Sequence, residues 1–168
     1  MPEGIVHIYA GEGRGKSQAA IGRAVQAAAN GQNAVVIQFL KGKGLDQTDY
    51  IRRLEPEIKV FCFEKSEENY LELPEEKKQE EIKNIRNGFC YAQKVLATGE
   101  CDLLILDEVL GVVEQGIITT EELKELLANR GSTDIILTGI KLEDEICFLA
   151  NEVSRIETVK FKLWEQDR

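Results

Sequence analysis

Lys16 and Ser17 follow three glycines spaced two apart, Gly11, Gly13 and Gly15, in the stretch IYAGEGRGKSQAAIGRA. Glycines in this spacing allow backbone geometries closed to other residues, so successive N–H groups can turn inward on phosphate oxygens at a helix N-terminus. A lysine and a hydroxyl at the next two positions add a full positive charge and a ligand for Mg²⁺. The pattern is that of a phosphate-binding loop, G-x-x-x-x-G-K-[ST], with Ala10 where the first glycine usually stands. A second feature lies about ninety residues on, where LLILDE sets Asp107 and Glu108 at the end of a continuous apolar run. Proteins with such a loop hold the Mg²⁺ shell with an acidic residue at the end of a neighbouring buried strand. Ser17, Asp107 and Glu108 are therefore the metal-holding candidates, and Lys16 and Glu108 the candidates for acting on the reacting groups. Loop and acidic strand together predict a Mg-nucleotide site and leave the reaction open.

Those residues meet only if strands and helices alternate in the right order. Ile5–Tyr9 reads as a short strand running into the loop, and Ser17–Asn30 as a helix with alanines, Ile21 and Val25 at helical spacing, closed by Asn30-Gly31. Ala34–Leu40 and Lys59–Phe63 read as strands, with a short helix over Asp49–Leu54 between them. Glu75–Thr98 carries Ile82, Ile85, Phe89, Ala92, Val95 and Leu96 on one stripe, a long amphipathic helix stopped at Gly99 with a solvated charged face. Asp102–Asp107 and Asp134–Thr138 have the continuous apolar character of strands buried on both faces. Helices over Glu121–Ala128 and Glu143–Asn151 and an alternating edge strand over Ser154–Leu163 complete the chain. The alternation predicts an α/β fold, a single domain over 1–168 with a mostly parallel sheet and helices on both faces.

Composition narrows the partners. With 168 residues, 43% hydrophobic and 30% charged, the chain has the size and core of one globular domain. A net charge of -9 argues against nucleic acid, and no apolar run approaches the length of a membrane span, so a cytoplasmic protein without a leader is expected. Cys62, Cys90, Cys101 and Cys147 form no C-x-x-C pair and are expected to be reduced, buried thiols. His7 is the one histidine, which argues against a histidine-based metal centre.

Three segments carry a resemblance to a known family: the loop and its helix through VIQFLKG, GECDLLILDEVLGVVEQGIITTEELKELLANR, and DIILTG. The sequence resembles the ATP:corrinoid adenosyltransferases of the cob(I)alamin/cob(I)yrinic acid a,c-diamide type from about Ile5 to about Lys160. These relatives also tend to lack the first loop glycine. The resemblance implies a RecA-like P-loop NTPase fold and transfer of the 5′-deoxyadenosyl group of ATP to Co(I) of a corrinoid, with release of triphosphate. Cobalt is then the nucleophile, and no side-chain nucleophile or base is required. The resemblance assigns Gly11, Glu12, Gly13, Arg14, Gly15, Lys16, Ser17 and Gln18 to the phosphate loop, Ser17, Asp107 and Glu108 to Mg²⁺, and Phe39 and Lys41 to the lining of the site. It also implies a reduced flavoprotein as source of Co(I) and a homodimer. Two departures stand out: Val109-Leu110 where the family shows Asn-Tyr, and Ile140-Lys141 where it shows Arg-Asn. The residues by themselves leave open a P-loop ATPase or small-molecule kinase, in which Glu108 deprotonates the nucleophile attacking the γ-phosphate, and a non-catalytic ATP- or corrinoid-binding relative.

Overall fold

A computed structural model of the protein describes residues 2–39, 53–63 and 70–160. Six strands, β1 (Val6–Ala10), β2 (Ala34–Gln38), β3 (Ile58–Cys62), β4 (Leu103–Asp107), β5 (Asp134–Gly139) and β6 (Glu152–Arg155), form one sheet in the order β3-β2-β4-β5-β1-β6. Every pairing is parallel. The helices are α1 (Lys16–Ala29), α2 (Glu75–Thr98), α3 (Val109–Glu114), α4 (Thr120–Ala128) and α5 (Asp144–Cys147), with a 3₁₀ turn at Tyr70–Glu72.

The sheet is buried between two unequal layers. On one face α2, α3 and α4 bring Ile85, Phe89, Val112 and Leu123 onto Ile8, Ile37, Leu104 and Ile135. On the other, α1 lays Ala20, Ala24 and Ala27 on Val36, Ile105 and Ile136. The buried stripe of α1 is thus alanine. Val25, off that stripe, stays half exposed. In β4 all five residues are buried, as a central strand covered on both faces requires.

Departures from the sequence reading are local and have causes. The helix expected over Glu143–Asn151 is a single turn, Asp144–Cys147, because Asn151 is used at β1: its side chain accepts from the Val6 N–H and its own N–H donates to Val6 O. The last strand accordingly starts at Glu152 and ends at Arg155, after which the chain turns off the β1 edge toward the glycine loop. Residues 161–163 of the expected strand, and Asp49–Arg52 of the expected short helix, lie outside the described residues. Against the expectation of buried thiols, Cys62 is exposed on the edge strand β3 and Cys90 on the outer face of α2, one helical step beyond buried Phe89. Cys101 is the buried one, and burial pushes its thiol up to about 12.

His7 ties three elements together. The Arg23 guanidinium on α1 donates to its Nδ1 at 3.2 Å, so the remaining proton sits on Nε2, which donates to Ser154 Oγ on β6 at 2.9 Å. Burial holds the imidazole below its usual 6.5, with Arg23 adding to the effect and Glu152 opposing it. Because the folded-state value is depressed, the contribution of neutral His7 to stability is fully present above about pH 6.5 and is lost as pH falls through the lowered value. Nitrogen NMR of this one histidine should therefore show the neutral Nε2–H tautomer at pH 7 and a midpoint below 6.5. A midpoint above that value would contradict the geometry.

Candidate functional site

The C-terminal ends of β1, β4 and β5 bring the chemistry together. β1 ends at Ala10, which pairs with Gly139 on β5 and Arg155 on β6 and is buried, so its methyl occupies strand interior and no glycine is needed there. The loop proper runs from Gly11 to Gly15. Gly11 and Gly15 hold φ of 124° and 104°, in the region that favours glycine. Gly15 caps α1, so the first helical N–H groups, at Lys16, Ser17 and Gln18, have no partner within the helix and form the mouth of an anion site. Lys16 Nζ folds back on the loop and donates to Gly13 O at 3.0 Å, which keeps its charge at that mouth.

The acidic half is joined to the loop through Ser17 and braced by a buried threonine. Ser17 Oγ donates to Asp107 Oδ1 at 2.8 Å, and Thr138 Oγ1 donates to the same oxygen at 2.8 Å. The Glu108 N–H in turn donates to Thr138 Oγ1 at 2.8 Å. β5 lies beside β4, and Thr138 near its end braces both acidic residues with no exposed surface. Glu108 caps α3 with φ 62°, the one positive value among described non-glycine residues. Such a conformation stores on the order of 1 kcal/mol and recurs at functional sites. Burial, then repulsion from Asp107, holds the Glu108 carboxyl above the usual carboxylate range, and Lys16 acts the other way.

A serine hydroxyl and two carboxylates are hard oxygen donors, and Ser17 and Asp107 are already in contact. They fit Mg²⁺ shared with phosphate oxygens, which typically takes only one or two carboxylates from the protein. Among the described residues no group of three or more His, Cys, Asp or Glu could hold a metal by itself.

Of the other predicted residues, Glu12, Arg14 and Gln18 are exposed on the loop and the start of α1. Phe39, expected to line the site, has no exposed surface and packs in the core, and its N–H donates to Asp107 O at 3.1 Å. Lys41 lies outside the described residues. Lys141 is paired with Glu114 at 3.1 Å, and Leu110 fills the space above Gly139, where an added Cβ would lie 2.3 Å from the Leu110 Cβ. The substitution of Asn-Tyr by Val109-Leu110 therefore belongs to the core. Arg130, in the helix-ending Asn-Arg, donates to Gly4 O at 2.6 Å, a structural role away from the loop. Sequence reasoning missed Thr138 and Thr158. The first was visible only as part of an apolar strand ending; the second, which accepts from the Arg14 N–H at 2.8 Å, gave no local signal. An open cleft of about 680 Å³ runs beside the loop, between Gly11–Gly13 and Ile140, Leu142 and Arg155.

Residues 2–167 match the family model of the ATP:corrinoid adenosyltransferase BtuR/CobO/CobP. The corrinoid adenosyltransferase of Escherichia coli K12 is 28% identical over 161 residues, covering 94% of this chain and 78% of that protein. The corrinoid adenosyltransferase CobA of Salmonella typhimurium is 29% identical with the same coverage. Among solved structures, a KaiC-like protein of Pyrococcus horikoshii superposes with a TM-score of 0.56 at 18% identity, over 96% of this chain and 77% of that one. The flagellar accessory protein FlaH of Methanocaldococcus jannaschii gives 0.57 at 14%, over 96% and 75%. The likeness to these structures is one of fold, the RecA-like P-loop arrangement.

Two substitutions test the polar cluster. The raised value of Glu108 means that its ionised form costs stability, a cost absent below about pH 4.5 and developed as pH rises through the raised value. Glu108→Gln should therefore melt above the unsubstituted protein at pH 7, with the gain disappearing below about pH 4.5, in a series of thermal melts. Thr138→Val removes a donor from buried Asp107 and the acceptor of the Glu108 N–H, and should cost about 1–3 kcal/mol in chemical denaturation.

Proposed function

Because this chain belongs to the ATP:corrinoid adenosyltransferase family, we propose that it transfers the 5′-deoxyadenosyl group of ATP to the Co(I) centre of a corrinoid and releases inorganic triphosphate. The acceptor is cob(I)alamin or an earlier corrinoid such as cob(I)yrinic acid a,c-diamide. The observation that carries the reading is the 2.8 Å hydrogen bond from Ser17 to Asp107, which joins the phosphate loop to the acidic strand at the one place where Mg-ATP needs both.

The chemistry asks for little covalent work from the protein. The reduced cobalt attacks C5′, the cobalt–carbon bond forms as the C5′–O bond breaks, and the electron pair leaves on triphosphate. The chain's task is to hold the triphosphate and stabilise the charge it gains. Lys16 supplies a charge at the loop mouth, and the helix-start N–H groups supply fixed dipoles. Mg²⁺, for which Ser17, Asp107 and Glu108 are the donors, supplies neutralisation of phosphate charge. Thr138 keeps the Asp107 carboxylate oriented and pins the Glu108 peptide. With this reading go a reduced flavoprotein as donor of the electron to cobalt, a homodimer and a cytoplasmic location.

A second reading has an observation of its own. Glu108 is held above the usual carboxylate range beside the loop, a property suited to a base that takes a proton from water or a substrate hydroxyl in an ATPase or small-molecule kinase.

The products separate the two. Incubated without oxygen with Mg-ATP and chemically reduced cob(I)alamin or cobinamide, the protein should give the visible-spectrum change of cobalt–carbon bond formation and one triphosphate per corrinoid alkylated. ADP and phosphate without alkylation would establish the second reading instead. Lys16→Ala should lower the transfer rate by at least about a hundredfold. Its melting temperature should stay near that of the parent, since a half-buried loop lysine contributes little to the core. Normal turnover of this variant at saturating ATP would remove the loop from the mechanism.

A further inference from the structure

We infer that the segment following β6, Ile156 to Thr158, is a strap that sets the shape of the phosphate loop, and that Thr158 is a positioning residue for ATP binding. The inference rests on the loop being the ATP site. After Arg155 the chain leaves the sheet edge and runs along the loop, making three hydrogen bonds. The Ile156 N–H donates to Ala10 O at 2.8 Å, the Gly13 N–H donates to Ile156 O at 3.0 Å, and the Arg14 N–H donates to Thr158 Oγ1 at 2.8 Å.

A separate observation identifies the strap as a partner to which the loop is fitted. Gly13 has no left-handed backbone, so conformation does not require glycine there. Proximity does: a Cβ would sit 2.5 Å from Ile156 O and 2.7 Å from the Glu157 Cα. The middle glycine of the motif thus makes room for the strap. Two consecutive loop N–H groups, of Gly13 and Arg14, are turned toward protein acceptors. The phosphate cradle consists of the second half of the loop, the N–H groups at the start of α1 together with Lys16.

Holding the Gly13–Arg14 peptides beforehand reduces the conformational freedom the loop loses when ATP binds. Ile156 contributes through its backbone and is not replaceable by substitution, whereas Thr158 contributes through a hydroxyl. Thr158→Val keeps shape and removes the acceptor, Thr158→Ala removes acceptor and methyl, and Thr158→Ser keeps the acceptor.

Calorimetric titration with Mg-ATP, with melting temperatures recorded alongside, tests the inference. Valine and alanine variants should bind ATP about five- to tenfold more weakly, the scale of one lost hydrogen bond. Serine should bind within twofold of the parent. The Arg14 amide should exchange faster in the valine variant, and in the transfer assay KM for ATP should rise with kcat changed less than twofold. Valine and alanine variants that bind within twofold of the parent, or a serine variant weakened as much as valine, would overturn the inference. The expected binding pattern in a protein that transfers no adenosyl group would overturn the transferase reading and leave the strap standing. A parent protein that binds no Mg-ATP would overturn both.

Discussion

One carboxylate oxygen, Asp107 Oδ1, is the point on which the site depends. It accepts from Ser17 at the start of α1 and from Thr138 at the end of β5, while belonging itself to the end of β4. Three elements far apart in sequence are fixed to one another there. A buried carboxyl oxygen is costly unless it is hydrogen-bonded, and the two hydroxyls meet that requirement for Oδ1. The same geometry places Ser17 beside a carboxylate, the pair a divalent cation on a triphosphate calls for. What the structure needs for its own satisfaction and what the chemistry needs coincide at one atom.

The sheet order explains why such a bridge is required. Strand β1, which carries the loop, and β4, which carries the acidic pair, are not neighbours, because β5 runs between them. The central strands are buried on both faces and are tied in register over most of their length, so their C-terminal ends form a rigid rim. Alanine packing of α1 brings its N-terminus close to that rim. The polar residues sit where ligands bind in open α/β sheets, at the carboxyl ends of the strands.

How much of this could be read beforehand follows from the range of each signal. Lys16, Ser17, Asp107 and Glu108 were legible because each belongs to a local pattern, glycine spacing in one case and an apolar run ending in acids in the other. The buried strands were legible from continuous hydrophobicity, and α2 from its stripe. What was not legible depends on contacts across the chain. Thr138 looks like any strand residue until β5 is known to lie between β1 and β4. Phe39 looks like part of a site-lining segment, yet a residue one step past a central strand is claimed by the core. The end of β6 could not be read because the alternating pattern continues, whereas the chain leaves the sheet to reach Gly13 and Arg14.

The glycines of the loop show the same division at finer scale. A glycine-rich motif invites a single explanation, freedom of the backbone to wrap phosphate, but the three positions are glycine for two reasons. Gly15 satisfies positive φ, Gly13 the approach of a neighbouring segment, and Gly11 both, since its Cβ would also lie 2.5 Å from Ile156 O. The loop is therefore shaped from two sides: from the sheet through Gly139 and Ile140, whose carbonyls receive the Gly11 N–H, and from the strap through Ile156 and Thr158. Only its last residues, leading into α1, are turned toward the acidic rim. A phosphate loop in this fold acts less as an independent cradle than as the seam between the β5 end, the strap and the first helix, and its capacity to hold an anion is set by all three.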